Sequence, residues 1–209
     1  MNDAEYIKTK VIRWLLDSNL SFDPSRDAIG AEVLFSANRR RVDLLILSQE
    51  LHALEIKGDC DDPRKLEGQL DDYHKTFDKV SVVTTPKHLN RITKIIKPLT
   101  GLILFERDTF KVKRLAKQRK RLDKYSLLMF LRKNELNRLS KVKNSDSLST
   151  DEIRKLIVGR LSISEIRKVA YSSLRNRYGE LFRLFLKDTG GNIIWDELKG
   201  LCGRIDELY

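Results

Sequence analysis

The chain has 209 residues, 41% of them hydrophobic and 34% charged, so it can bury a core and is unlike a disordered polyelectrolyte. Its uncharged apolar runs are about half as long as a membrane-spanning helix, and its N-terminus lacks the apolar stretch of a secretory signal. These features favour a cytoplasmic protein without a membrane partner, and two distant cysteines with three scattered histidines argue against a disulfide framework or a zinc site.

The net charge of +11 comes from one segment of the chain. Residues 1–100 contain 16 Lys and Arg against 16 Asp and Glu, whereas residues 107–143 contain 14 basic and 3 acidic residues. A stretch this basic is typical of a surface that binds nucleic acid, and equally of a solvated helix face or a basic connector. The charge therefore indicates a polyanionic partner without identifying it.

The first half of the chain alternates between helical and strand-like patterns. Residues 3–18 have apolar residues at helical spacing and predict an amphipathic helix. Three strand-length apolar runs follow at 28–35, 42–47 and 51–56. Because their links are short, these runs must pair antiparallel. The elements predicted next are a helix from Pro63 to Phe77, a strand at 79–84 parallel to an earlier one, a helix at 87–96 and a strand at 102–105.

This order predicts an α/β fold in which helices flank a mixed sheet. After about residue 113 no strand is predicted, and the remaining chain reads as mostly α-helical. The segments predicted there are a basic stretch at 111–124, helices at 125–139, 165–187 and 194–201, and a linker at 140–149. Capping-box sequences at Ser149 and Ser162 begin helices, and Gly190 ends the long one. We predict a sheet domain at 1–113 and a basic helical region at 114–209.

Two carboxylates and a lysine fall within or beside predicted strands. Asp43 lies inside the run 42–47, and Glu55 and Lys57 end the next run on one face, because side chains alternate along a strand. A suitable antiparallel register places Asp43 opposite or diagonal to Glu55. These carboxylates and the Ile56 carbonyl are ligands suited to one Mg²⁺, with Lys57 near the phosphate or water. Alternatively, Asp43 faces solvent on an edge strand and Glu55-Ile56-Lys57 is an ordinary tripeptide.

The arrangement resembles the PD-(D/E)xK nuclease superfamily, which has a restriction-endonuclease-like fold. The resemblance covers about residues 1–106 and includes the superfamily's αβββαβ core. It implies that Asp43 and Glu55 bind the metal and that Lys57 is the catalytic lysine, with Val42 at the position of the motif's proline. It further implies a Mg²⁺-dependent nuclease that also accepts Mn²⁺ and leaves a 5′-phosphate.

Three other residues extend the resemblance. Many members also use an acid upstream of the Asp, and the resemblance implies that Glu32 on the preceding strand is this acid and helps to bind the metal, unless it is a surface strand residue. Gln69 and Tyr73 form a Q-x-x-x-Y pattern similar to that of RecB-family nucleases. They lie one helical turn apart on one face, and the resemblance implies that both belong to the active site and approach the metal and the DNA backbone. Tyr73 also belongs to the apolar face of its predicted helix, so core packing explains it equally well. A poorly characterised group of small bacterial and phage members shows a similar stretch from Glu32 to Val83.

We expect DNA to be the substrate, held by phosphate contacts that weaken with salt. The basic residues predicted to contact it are Arg39, Arg40, Arg41, Arg107, Lys111, Lys113, Arg114, Lys117, Arg119, Lys120 and Arg121. Two alternatives stay open: a catalytically silent nuclease fold that binds nucleic acid or protein, and an assembly protein whose C-terminal helices contact a partner. An apolar face at Leu174, Phe182 and Phe185 fits a homodimer or partner surface, or an internal core.

Overall fold

Six strands form one mixed sheet in a computed structural model that describes residues 3–17, 22–35, 40–142, 147–190 and 198–202. The strands are β1 (Ala28–Leu34), β2 (Arg41–Leu47), β3 (Leu51–Lys57), β4 (Lys79–Thr84), β5 (Gly101–Glu106) and β6 (Thr109–Arg114). They lie side by side in chain order. The first three pair antiparallel, β3, β4 and β5 pair parallel, and β6 pairs antiparallel with β5.

Seven helices are described around this sheet. They are α1 (Ala4–Asp17), α2 (Leu66–Thr76), α3 (Pro86–Ile95), α4 (Lys124–Leu128), α5 (Lys133–Ser140), α6 (Thr150–Arg160) and α7 (Ile163–Thr189). Short 3₁₀ turns at Pro63–Lys65 and Lys199–Leu201 accompany them. The predicted α/β class, mixed sheet and helical C-terminal region are therefore confirmed. Within the described ranges, no helix is long and apolar enough to cross a membrane.

The pairing follows from the connections between strands. Short links join β1 to β2 and β2 to β3, so these strands must reverse direction, whereas α2 and α3 carry the chain back for parallel pairing of β4 and β5. The predicted capping boxes are also formed, because Ser149 accepts a hydrogen bond from the Glu152 N–H and Ser162 accepts one from the Glu165 N–H. Gly190 ends α7 in the left-handed conformation, at φ +51°.

Strand β6 was not predicted, and it includes the first four residues of the basic segment 111–124. A two-residue turn, Arg107-Asp108, joins β5 to β6 with φ angles of +49° and +59°. Such turns normally contain Asn or Gly, and here Asp108 is held by the Tyr6 hydroxyl at 2.9 Å and the Lys10 ammonium at 2.9 Å. The tertiary contacts of Asp108 therefore replace the usual turn sequence.

The pattern predicted as one helix at 125–139 is divided into α4 and α5. The chain between them contains Phe130 and Leu131, both fully or almost fully buried, and Arg132 begins α5 in an extended conformation. Burial of this connection takes precedence over helical propensity, which is a weak preference. Half of the predicted short helix at 194–201 lies outside the described residues, which include Leu198 and the 3₁₀ turn Lys199–Leu201 at its end.

The C-terminal helices share a hydrophobic core with the sheet. Phe130 packs on Phe77 with ring centroids 5.9 Å apart, and Tyr178 of α7 lies so close to β1 that a Cβ at Gly30 would be 2.8 Å from its ring. The apolar face at Leu174, Phe182 and Phe185 is buried in this core rather than exposed to a partner. The division at residue 113 stays a prediction, since one core includes residues from both parts.

The buried imidazole of His74 is expected to reduce stability in mild acid. His74 is 4% exposed, and its Nε2 lies 2.8 Å from the Thr100 hydroxyl oxygen. Burial, aided by the positive charge of Arg119, lowers the pKa of His74 from 6.5 to about 4. Because this pKa is lower in the folded chain, protons bind the unfolded chain preferentially, and stability is lost as the pH falls from 6.5 to 4. Near pH 5 the loss is about 2 kcal/mol.

Urea unfolding of the wild type and of His74→Gln, each at pH 7 and pH 5, measures this contribution. Acidification should lower the unfolding free energy of the wild type by about 2 kcal/mol more than that of the variant. Carboxylates that titrate in both proteins contribute equally to the two losses of unfolding free energy, so their contribution cancels in the comparison. Equal losses in the two proteins would show that His74 is not the titrating group.

Candidate active site

Three acidic residues meet where β1, β2 and β3 adjoin. Glu32 and Asp43 face each other on β1 and β2, between the paired positions Ala31–Leu44 and Val33–Val42. The β2–β3 ladder ends at the pair Leu44–Leu54, and the same register continued by one residue sets Asp43 opposite Glu55. The neighbouring strands therefore bring these acids together as the antiparallel order predicts.

Asp43 uses both of its carboxylate oxygens within the protein. Its Oδ2 accepts a hydrogen bond of 2.7 Å from the Ile56 N–H, and its Oδ1 lies 3.2 Å from the Lys8 ammonium. Burial, together with the negative charge of Glu55, raises the pKa of Asp43 from 3.8 to about 7. Positive charge placed beside Asp43 would therefore favour its ionised form.

Glu55 is buried between a lysine and a tyrosine. Its Oε1 lies 2.7 Å from the Lys57 ammonium, and its Oε2 accepts a hydrogen bond from the Tyr73 hydroxyl. Burial alone would lower the pKa of Lys57, but the charge of Glu55 and the hydrogen bond to it outweigh burial, so this pKa is raised. Lys57 stays a cation next to Glu55, as its predicted role requires.

Tyr73 serves both in packing and at the site. Its ring is fully buried and packs against Phe35 and Phe77, with centroids 5.0 and 5.6 Å away. Its hydroxyl contacts Glu55 and lies 3.0 Å from the carbonyl oxygen of Arg41. Burial and the charge of Glu55 raise the pKa of Tyr73 well above 10.0, so the hydroxyl remains a donor that orients Glu55.

Lys8 also belongs to the cluster, although the sequence did not predict it as a site residue. Its ammonium contacts Glu32 and Asp43, and its side chain is 7% exposed. Burial would lower the pKa of Lys8, but the charges and hydrogen bonds of Asp43 and Glu32 outweigh burial and raise it. The sequence feature that could have identified Lys8 is its position on the buried face of α1, next to Ile7 and one turn before Ile12, because lysines are rarely buried without a partner.

Glu32 has an unusual backbone conformation. Its φ of +50° lies in the left-handed region, which costs a residue with a side chain about 1–2 kcal/mol. Regular β geometry is interrupted there, since Glu32 and Asp43 are not a paired position although their neighbours on each side are. Such strain persists where the surrounding structure fixes it, and here the Lys8 ammonium holds the Glu32 carboxylate.

Gln69 is not joined to the acidic cluster by any described hydrogen bond. Its Oε1 is buried and lacks a hydrogen-bond partner among the residues that the structure describes. Of the arginines before Asp43, Arg40 pairs with Asp72 at 2.8 Å, Arg41 is exposed, and Arg39 lies outside the described residues. Roles for Gln69 and these arginines stay predictions.

The basic residues predicted beyond residue 106 begin at the far edge of the sheet, on the β5–β6 turn and β6. They then continue past this edge to Arg119, which is half-buried and whose N–H donates to the Asp78 carbonyl oxygen. Strand β6 is three strands from β3, about 14 Å at the usual strand spacing. Exposed members of this set are Arg107, Lys111, Lys113, Lys117, Lys120 and Arg121. Arg114 is instead anchored, donating to the carbonyl oxygens of Thr100 at 2.7 Å and Lys97 at 3.0 Å. Lysines on an edge strand also discourage pairing with other chains, so their position alone does not require DNA.

Comparison with known proteins relates almost the whole chain to a phage family. The family model described as bacteriophage P4 protein cII matches residues 2–201. Protein cII of Enterobacteria phage P4 is 31% identical over 193 residues, covering 89% of this chain and 72% of that protein. A solved structure of a protein of unknown function from Silicibacter pomeroyi has a TM-score of 0.37 and 14% identity, covering 73% of this chain and 82% of its own.

Proposed function

The chain belongs to the bacteriophage P4 protein cII family, and we propose that it is a Mg²⁺-dependent nuclease that hydrolyses phosphodiester bonds of DNA. One observation carries the proposal: Asp43, Glu55 and Lys57 converge at the end of the β2–β3 ladder in mutual electrostatic contact, with Glu55 and Lys57 buried and Asp43 half-buried. Their order and strand placement resemble the PD-(D/E)xK superfamily. Perturbed, buried titratable groups of this kind are concentrated at functional sites.

The residue types of the cluster suit one Mg²⁺. Among the described residues, no group of three or more His, Cys, Asp or Glu side chains is arranged to hold a metal ion. Mg²⁺ needs fewer protein ligands, since it is usually held by one or two carboxylates and keeps several waters. Asp43 and Glu55 are near enough for the charge of one to raise the pKa of the other. With the Ile56 carbonyl, they would hold the ion.

When bound, Mg²⁺ would supply a water of lowered pKa and positive charge for the phosphate. The residues of the chain have separate tasks. The Ile56 N–H and the Tyr73 hydroxyl fix the orientations of Asp43 and Glu55, which costs no reorganisation during the reaction. Lys57 presents an ammonium beside Glu55, where it can position the attacking water or stabilise negative charge on the phosphate.

Incubation of the purified chain with linear, circular, single-stranded and branched DNA tests the proposal. We expect cleavage of at least one substrate with Mg²⁺ or Mn²⁺ and none with EDTA. DNA that is bound but never cut, across all substrates and both metals, would contradict the nuclease and favour the catalytically silent binding module. Cleavage that persists in EDTA would contradict the metal-dependent site.

The exposed edge of β6 is expected to supply nonspecific DNA affinity. Replacing Lys111 and Lys113 of β6, together with Lys117 just after it, by glutamine (the β6 variant) should weaken binding similarly for all sequences, because phosphate contacts carry no sequence information. The slope of log K against log salt should become shallower by about 0.9 for each phosphate contact that is lost. Fluorescence anisotropy across a salt series measures both quantities.

A matched control removes three exposed lysines from the C-terminal helices, Lys155, Lys168 and Lys187. The control variant has the same net charge as the β6 variant. Its affinity and salt slope should remain close to those of the wild type. Equal losses in the two variants would indicate a general charge effect and contradict a DNA contact along β6.

A further inference from the structure

An ammonium group lies between two of the three carboxylates of the candidate site. The Lys8 Nζ contacts the Glu32 carboxylate and is 3.2 Å from the Asp43 Oδ1. A cation shared by carboxylates from two adjacent strands is the arrangement that a divalent ion would otherwise have. Glu55, by contrast, is paired with Lys57 and Tyr73.

The formal charge of the cluster favours the binding of one divalent cation. Glu32, Asp43 and Glu55 are three acids, and Lys8 and Lys57 are two bases, so the ionised cluster has a formal charge of −1. One divalent ion would bring this charge to +1, which complements a phosphodiester. A second ion would bring it to +3, and like charges repel one another in such a half-buried cluster.

The position of Lys8 is fixed by its helix. Ile7, Val11 and Ile12 of α1 are fully buried, so the helix cannot turn to release the lysine to solvent. Two residues later, the Lys10 ammonium lies 2.9 Å from the Asp108 carboxylate at the β5–β6 turn. This ion pair attaches α1 to the sheet at a second point. The Lys8 side chain is thus a built part of the site rather than a mobile surface group.

We propose that the Lys8 ammonium occupies the position of a second divalent cation between Glu32 and Asp43, so that the wild-type site accepts a single ion. The inference rests on the proposed nuclease function for that single ion. Lys8 is then a positioning residue that holds Glu32 and Asp43. Glu32 then forms an ion pair with the Lys8 ammonium and is not a ligand of the bound metal.

Isothermal titration of the full chain with Mn²⁺, without DNA, tests the assignment by counting bound ions. The wild type should bind one ion and Lys8→Met should bind two, because methionine has a similar length without the charge. Lys10→Met on the same helix is the matched control and should bind one. Equal numbers of ions in the wild type and in Lys8→Met would overturn the inference.

The same titration separates this inference from the proposed function. If the wild type binds no ion and Lys8→Met binds one, the proposed metal site fails, whereas the Lys8 assignment stands. If each binds one, the metal site stands and the Lys8 assignment fails. The double variant Lys8→Met/Glu32→Gln should lose the additional ion, and Glu32→Gln alone should still bind one. Loss of binding in Glu32→Gln alone would make Glu32 a ligand and overturn the inference.

Removal of Lys8 leaves the half-buried carboxylates of Glu32 and Asp43 without their cation, so Lys8→Met is expected to unfold more readily. The melting temperature, measured by circular dichroism during heating, gives a second test of the assignment. Millimolar Mn²⁺ should raise the melting temperature of Lys8→Met by more than that of the wild type or Lys10→Met, since the ion replaces the lost charge. A Lys8→Met protein that Mn²⁺ does not stabilise beyond the wild type would contradict the assignment.

Discussion

Replacing Lys57 by methionine is expected to lower the rate of DNA cleavage by about 10²- to 10³-fold, the usual effect of removing one preorganised charge-stabilising group. The Lys57 ammonium lies 2.7 Å from Glu55 and is almost buried, so solvent cannot replace it readily. Single-turnover cleavage with excess protein and saturating Mg²⁺ measures the chemical step. DNA affinity should remain close to that of the wild type, because one buried lysine contributes little to a salt-dependent surface contact.

The control for this prediction is Lys65→Met, which removes an exposed lysine of the 3₁₀ turn before α2. It should cleave at the wild-type rate. Glu55→Gln should lose activity as Lys57→Met does, because it removes a carboxylate ligand while preserving size. Circular dichroism should confirm that each variant is folded at the assay temperature. Wild-type cleavage by either Lys57→Met or Glu55→Gln would refute the assignment of the site.

Replacing Asp78 by alanine is expected to reduce the free energy of unfolding by about 2–4 kcal/mol. Asp78 is fully buried, accepts a 2.8 Å hydrogen bond from the Leu51 N–H and lies 2.8 Å from the Arg167 guanidinium of α7. In the variant, the Leu51 N–H at the start of β3 loses its hydrogen-bond acceptor, and the ion pair between α7 and the sheet is removed. The loss stays below that of a fully buried pair, because the Arg167 side chain is 35% exposed and can be hydrated.

Urea unfolding at pH 7 measures this loss, with Asp71→Ala as the matched control. Asp71 pairs with Lys97 at the surface, where its side chain is 48% exposed, so its removal should cost less than about 1 kcal/mol. An Asp78→Ala variant as stable as Asp71→Ala would mean that the ion pair does not couple α7 to the sheet.

The sequence predicted β1 to β5 because local patterns determine them. Each strand is a mostly apolar run, and the lengths of the links fix whether neighbours pair parallel or antiparallel. Strand β6 was missed because its residues Lys111, Lys113 and Arg114 are polar, as an edge strand requires, and its turn lacks glycine. Its pairing with β5 follows from tertiary contacts that no local pattern contains.

The site was partly predictable for the same reason. Asp43, Glu55 and Lys57 were found because charges interrupt or end apolar runs, which is unusual for a buried strand. Lys8 was missed because its partners are on β1 and β2, distant in sequence, and a single lysine in a helix is ordinary. The hydrogen bond from Tyr73 to Glu55 similarly depends on how α2 packs against the sheet.

The most direct test of the proposed site locates the metal itself. Crystals grown with Mn²⁺ give anomalous scattering that identifies the ion without assumptions about its ligands. We predict one anomalous peak within about 2.0–2.6 Å of carboxylate oxygens from both Asp43 and Glu55. We also predict that the Lys8 ammonium remains between Glu32 and Asp43. A map with no peak at Asp43 and Glu55, under conditions in which Mn²⁺ saturates the protein in solution, would contradict the proposed active site.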